Sequence, residues 1–151
     1  MSSSKAKGFR VGRELANKFW ELGFAVMRGA ASGAGARRRF VPDLVVMRNG
    51  RILVLELKYR SKSSEIIRIE LSRVKKLKEF AARAGGRAYI AVKYGKEQWR
   101  FIPLDELEKL ENDITGFKIK KEQVEKVGLT LRQLIERELT VSLDISTLLQ
   151  A

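Results

Sequence analysis

The chain has 151 residues, with 31 Lys and Arg against 18 Asp and Glu, a net charge of +13, and neither histidine nor cysteine. This excludes disulfide scaffolds, thiolate metal sites and histidine-based triads, leaving carboxylates, lysine, hydroxyls and a hard metal for any reaction. The length suits one domain with a proper core, and residues 1–103 hold 24 cationic against 8 acidic side chains while residues 104–151 hold 7 against 10, so a polyanionic partner is expected for the first part of the chain.

No apolar run reaches the length of a membrane span, and the Met1-to-Lys5 start lacks the apolar centre of a signal peptide. No membrane partner and a cytoplasmic, nucleoid-associated location are therefore expected. A basic RNA-binding domain without activity fits the same charge. Few Asn and Gln beside many Lys, Arg and Glu lean towards a thermophilic source.

In chain order, residues 1–6 read as a flexible basic tail. Apolar residues from Phe9 to Leu22 recur at helical spacing, which predicts a first helix over Lys7–Leu22, ended by Gly23. Phe24–Arg28 reads as a short strand. The small residues and three arginines from Gly29 to Phe40 read as a mobile loop, in which Arg37, Arg38 and Arg39 suit phosphate oxygens and Ser32 could donate to a phosphate or hold a water. A solvated linker without function is the alternative for that loop.

Two apolar runs then flank Asn49-Gly50, the strongest short hairpin signal, since both turn positions need positive φ. A two-residue loop pairs Arg48 with Arg51 and carries Asp43 opposite Glu56, with Lys58 on the same face by the strand period of two. Such opposed side chains lie roughly 4.5–5.5 Å apart at Cβ, where like charges repel. A divalent cation with one oxygen from each acid would relieve that repulsion, and Mg²⁺ suits hard oxygen donors. Two acids and an ammonium on one patch can hold a metal, activate water and steady a pentavalent phosphate. The competing reading is a strand-entry acid and an exposed charged face. Against it, Leu44, Val45, Val46, Leu53, Val54, Leu55 and Leu57 are apolar on both faces, so the charges interrupt a buried strand.

Tyr59–Ser64 follows as a basic loop and Glu65–Glu70 as a short strand. Ser72 is expected to cap a second helix, with Val74, Leu77, Phe80, Ala81 and Ala84 inside, Arg73, Lys75, Lys76 and Lys78 outside, and Gly85-Gly86 at its end. Ala88–Val92 and Gln98–Ile102 read as antiparallel strands around Gly95, Pro103–Leu107 as a short helix, Phe117–Lys120 as an edge strand and Leu129–Leu149 as a last helix. The order predicts an α/β domain, a mixed central β-sheet flanked by helices, over residues 7–107. Residues 108–151 form a C-terminal extension packed on that domain or on a dimer interface. Leu131, Leu134, Ile135, Leu139 and Leu148 serve either the core or such an interface.

Pro42-Asp43, twelve residues, then Glu56-Leu57-Lys58 resembles the PD-(D/E)xK nuclease motif. With Gly23–Arg28, Ala31-Ser32-Gly33, Glu79-Phe80-Ala81 before Gly85-Gly86, and Ala91-Val92-Lys93 leading to Trp99–Ile102, the chain resembles the archaeal Holliday junction resolvases over roughly residues 7–107. The resemblance implies a restriction-endonuclease-like fold and a homodimeric, Mg²⁺-dependent endonuclease, for which Mn²⁺ can substitute. Such an enzyme recognises branched DNA, the four-way junction, and nicks two opposed strands by phosphodiester hydrolysis. It also implies that Asp43 and Glu56 hold the metal, with the Leu57 carbonyl as a further ligand, that Lys58 orients water or stabilises the phosphorane, and that Ser32 is the serine of a catalytic loop. Arg10, Arg13, Arg28, Arg60, Lys62 and Arg68 would fall in or near the DNA-binding face.

One position departs from the pattern: the family's helix-one glutamate is Gly12 here, and Glu14 points about 200° away round the helix. Either the metal is held without it, or the chain is a junction-binding homologue that has lost cleavage. A third reading is another nuclease of the same fold that also cuts linear duplex.

Overall fold

The computed structural model describes residues 4–29 and 39–140. Helix α1 (Ser4–Glu21) leads into strand β1 (Ala25–Arg28), the hairpin β2 (Leu44–Arg48) and β3 (Arg51–Arg60), strand β4 (Ile67–Glu70) and helix α2 (Leu71–Ala84). Strands β5 (Arg87–Tyr94) and β6 (Arg100–Pro103), the single turn α3 (Leu104–Leu107), β7 (Gly116–Ile119), α4 (Lys121–Val127) and α5 (Leu131–Ile135) complete it, α5 running on as a π-helical turn over Glu136–Thr140.

The central sheet has the order β1-β2-β3-β5-β6, antiparallel throughout except for the parallel β3–β5 pair. The expected mixed sheet flanked by helices is what forms. Asn49 and Gly50 take φ of 51° and 76°, and Arg48 pairs with Arg51, so the turn sets the predicted register. Alternation along β3 then sorts its side chains: Leu53 and Leu55 meet α1, while Val54 meets α2.

Helix α1 packs Val11, Leu15 and Phe19 on one face of the sheet against Leu44, Val46, Leu55 and Phe101. Leu15 and Phe19 are fully buried, each contributing about 1.5–3 kcal/mol of apolar burial. Gly23, at φ 92°, ends the helix. Its N–H donates to the Trp20 carbonyl at 3.0 Å and the Phe24 N–H to the Phe19 carbonyl at 3.0 Å, closing a Schellman turn whose apolar clasp is the Phe19–Phe24 edge-to-face pair. Gly85, at φ 70°, ends α2 in the same way.

Several boundaries differ from expectation. Residues 4–6 belong to α1 and not to a tail; residues 1–3 lie outside the described part. Tyr59 and Arg60 continue β3 because they pair with Lys93 and Tyr94 of β5. Helix α2 starts at Leu71, whose N–H donates to the Thr115 carbonyl at 3.0 Å, so a distant backbone group takes the place of the Ser72 cap. The strand β4 joins no main-sheet neighbour; it pairs with β7 as a separate ribbon, Ile67 and Ile69 inward and Arg68 and Glu70 outward.

The expected last helix, Leu129–Leu149, starts at Leu131, and its residues 141–149 lie outside the described part. An unforeseen α4 precedes it, and α5 is opened by Thr130 and Gln133 in a reciprocal capping box. Leu134 is fully buried in the α1-side core, with Leu131 and Ile135 packed on it, so these three serve the domain's own core. The Leu139 side chain and Leu148 lie outside the described residues.

Candidate active site

The site arises because β3 is longer than β2. Pairing between them stops at Leu44 and Leu55, and β3 runs on to Arg60 with β5 alone beside it. Asp43, the first residue past the end of β2, prolongs the ladder with its side chain, its Oδ2 accepting the Leu57 N–H at 2.9 Å. The Asp43 carbonyl in turn accepts from the Gly29 N–H at 3.0 Å. A Cβ at Gly29 would collide with the Pro42 carbonyl oxygen, so this close crossing of two strand ends requires glycine.

Glu56 points to the α2 side and is 2% exposed. Asp43 and Glu56 converge, as the hairpin register predicts, and the group between them is the Arg73 guanidinium. Its Nε and Nη2 both donate to the Glu56 carboxylate, the latter at 3.2 Å, and Nη2 lies 3.6 Å from Asp43 Oδ1. Burial and the neighbouring Asp43 push the Glu56 carboxyl up to about 7, with Arg73 pulling the other way. Glu56 in turn holds the Arg73 guanidinium above its ordinary value, against the opposing effect of its burial. The geometry is that of two acids sharing one cation.

Around them opens a cleft of 820 Å³, lined among others by Gly12, Arg28, Leu57, Lys58 and Trp99. Gly12 lies on the buried stripe of α1, where a Cβ would stand 3.1 Å from Leu57 Cδ1 and 3.3 Å from Arg28 Nη2. The position that departs from the motif pattern therefore does face the cleft, and Glu14 is exposed elsewhere on the helix. Arg28 lies over the Phe9 ring at 4.4 Å and donates to the Phe9 carbonyl at 3.2 Å, at the mouth of the cleft. Lys58 borders both this cleft and a second groove of 470 Å³ shared with Arg68, Arg73 and Lys118. Arg68 and Lys118 are direct partners across the β4–β7 ribbon.

Of the other predicted phosphate-binding residues, Arg10, Arg13, Arg39 and Lys62 are exposed. Arg60 is half-buried, its Nε 4.0 Å from Glu65. Ser32, Arg37 and Arg38 lie outside the described residues.

Arg73 is the residue that sequence reasoning misplaced: assigned to the outer face of α2, it reaches inward to both acids. The available signal was its spacing four residues before the buried Leu77, which sets it on the inner side of the helix. Lys118 was likewise missed, because its pairing with Arg68 joins strands far apart in sequence.

The donor set fits a divalent cation. No group of three or more Asp, Glu, His or Cys side chains converges among the described residues, so protein ligation would come from two carboxylates and backbone oxygen. That is a hard-oxygen set of the kind Mg²⁺ uses while retaining waters, and the guanidinium already shows that the pair takes a positive charge.

A sequence model described as archaeal Holliday junction resolvase matches residues 3–142. The chain is 37% identical over 135 residues to the crossover junction endodeoxyribonuclease Hjc of Sulfurisphaera tokodaii, covering 89% of this chain and 90% of that protein. It is 34% identical to the Archaeoglobus fulgidus protein of the same name, covering 85% and 89%. The crystal structure of Archaeoglobus fulgidus Hjc, a Holliday junction resolvase, superposes with a TM-score of 0.70 at 30% identity, over 85% of this chain and 94% of that one.

Proposed function

The chain belongs to the archaeal Holliday junction resolvases, and from that membership together with the cleft we infer how it works. It is a structure-selective endodeoxyribonuclease that resolves four-way DNA junctions by hydrolysing phosphodiester bonds. The family is divalent-metal dependent; the finer reading is that Mg²⁺ serves here, that Mn²⁺ can substitute, and that two copies act together so that two opposed strands are nicked.

The observation that carries the residue assignment is the convergence of Asp43 and Glu56 on a single cation beside Lys58. Asp43 and Glu56 would hold the metal. The Leu57 N–H already faces Asp43, and in a strand the carbonyl of the same residue points to the same edge, so Leu57 offers a backbone oxygen there. A bound divalent cation lowers the pKa of water and neutralises charge on the phosphate. Lys58 then places a fixed positive charge where negative charge grows on the phosphorane and helps orient the attacking water. The basic rim of Arg28, Arg68 and Lys118 supplies affinity by neutralising phosphates, which makes binding fall steeply with salt. Junction choice follows from shape, since paired sites at fixed separation fit some strand geometries and not others.

The test is Mg²⁺-dependent cleavage of a labelled immobile four-way junction beside a linear duplex made from the same arms, with Asp43→Asn as control. Paired nicks in the junction alone, absent in the variant, are expected. Tight junction binding with no cleavage in Mg²⁺ or Mn²⁺ would show that Gly12 marks a homologue that binds without cutting, and equal cutting of the duplex would remove the selectivity.

A further inference from the structure

We propose that Arg73 is the site's built-in counter-ion: it occupies the place between Asp43 and Glu56 until DNA phosphate draws it away, so that metal and substrate enter together. The inference rests on the metal reading of the Asp43–Glu56 pair and adds a residue to it.

One guanidinium bridges both carboxylates, contacting Glu56 through Nε and Nη2 and lying 3.6 Å from Asp43 Oδ1. An arginine cannot discharge itself by losing a proton in a protein, so a divalent cation gains the two acids only when the side chain moves. The surroundings give it somewhere to go. Arg73 stands in the first turn of α2 on a flexible stem, its side chain is 39% exposed, and the Phe40 ring, 4.8 Å from Cζ, is a cation–π contact made in the position beside the acids. It also lines the basic groove with Lys58, Arg68 and Lys118, the path that suits a phosphodiester backbone.

Arg73 therefore has two competing partners. With no DNA present, the carboxylate pair holds it. A phosphate in the groove offers a bidentate, charge-assisted acceptor of its own, and the move to it releases the acids for the metal. Two ligands that each relieve the other's competitor bind with positive coupling, and the coupling is reciprocal. A phosphate can coordinate a metal directly in any such enzyme, so coupling alone is not the signature; its dependence on Arg73 is.

The experiment is calorimetric titration of Ca²⁺, chosen so that DNA is not cut, into wild type, Arg73→Gln and Arg73→Ala, each also made with Asp43→Asn as a control, and each with and without an immobile four-way junction. Arg73→Gln keeps a polar partner for Glu56, so it reports on charge if the alanine variant folds poorly. Without DNA, and at a pH well above 7 so that Glu56 is ionised in every protein, Arg73→Gln is expected to bind Ca²⁺ at least about ten-fold more tightly than wild type, because one positive charge no longer competes at contact distance. Addition of the junction should tighten Ca²⁺ binding by a larger factor in wild type than in the variant. Ca²⁺ binding no tighter in Arg73→Gln than in wild type, with wild-type binding still dependent on Asp43, would overturn the counter-ion role and leave the metal site standing. Absence of Asp43-dependent Ca²⁺ binding in every protein, with DNA and without, would overturn both.

Discussion

Two glutamates are buried among the described residues, and they are buried for different ends. Glu56 is 2% exposed in the cleft at the end of β3, and Glu138 is 3% exposed beside Tyr89, against β5. Glu138 accepts the Tyr89 hydroxyl and lies 3.8 Å from the Arg87 Nε, a satisfied pair that pins the end of α5 to the sheet. Burial, then the hydrogen bond to Glu138, pushes the Tyr89 hydroxyl up. Glu56 instead faces a second carboxylate and shares one arginine with it. Burial of a carboxylate therefore says little by itself. What marks the proposed chemical site is a like charge left beside it, in an open cleft.

The largest separation of the two comes from disabling each in turn. Glu56→Gln is expected to lower junction cleavage about 1,000-fold or more, the scale on which charge-stabilising groups act in active sites, with the fold retained by circular dichroism. Tyr89→Phe, which leaves Glu138 with a lost donor, is expected to cost about 1–3 kcal/mol in denaturant melts while cleavage per folded molecule stays at the wild-type rate. A stability loss without activity loss at Glu56, or the reverse at Tyr89, would erase the distinction.

Titration sharpens it further. With its folded-state pKa raised from 4.5 to about 7, Glu56 keeps a proton that the unfolded chain releases. Its contribution to metal-free stability is thus fully present below pH 4.5 and is lost as pH rises to about 7. Melting temperatures of wild type minus those of Glu56→Gln should fall across that window and level off above it. Ca²⁺ affinity should rise over the same window, since the metal requires the ionised acid. A flat difference curve would mean that Asp43 and the burial do not act on Glu56 as described.

The smallest effect is at Gly12. The Cβ of Gly12→Glu meets the side-chain ends of Leu57 and Arg28 at 3.1 and 3.3 Å, which must give slightly, and the change replaces glycine inside a helix. A gain of about 0.5–1 kcal/mol in stability is expected from helix propensity alone. Cleavage at limiting Mg²⁺ should also rise, because a third carboxylate enters the cleft. An unchanged metal requirement in a stabilised variant would show that position 12 is structural here.

Much of this site is legible in the sequence. Asn49-Gly50 dictates the turn, the turn dictates the register, and the register brings Asp43 to Glu56. Gly23 and Gly85 announce the ends of both long helices because their backbone needs positive φ. What was not legible depends on contacts remote in sequence. The start of α2 is held by the Thr115 carbonyl, the β4–β7 ribbon joins two four-residue strands, and Arg73 reads as one more exposed cation until α2 is laid against β3. The central arginine was hidden in the part of the chain richest in Lys and Arg, where composition gives each cation the same bland meaning.

The most direct measurement of the division between chemistry and binding takes Lys58→Ala and follows junction affinity and single-turnover cleavage on the same sample. Lys58 borders the acids but is one cation among many on the basic surface. Cleavage is expected to fall about 100- to 1,000-fold, with the junction Kd within about three-fold of wild type. Cleavage near the wild-type rate, or affinity lost in step with activity, would contradict the assignment of this cleft as the place where the phosphodiester is cut.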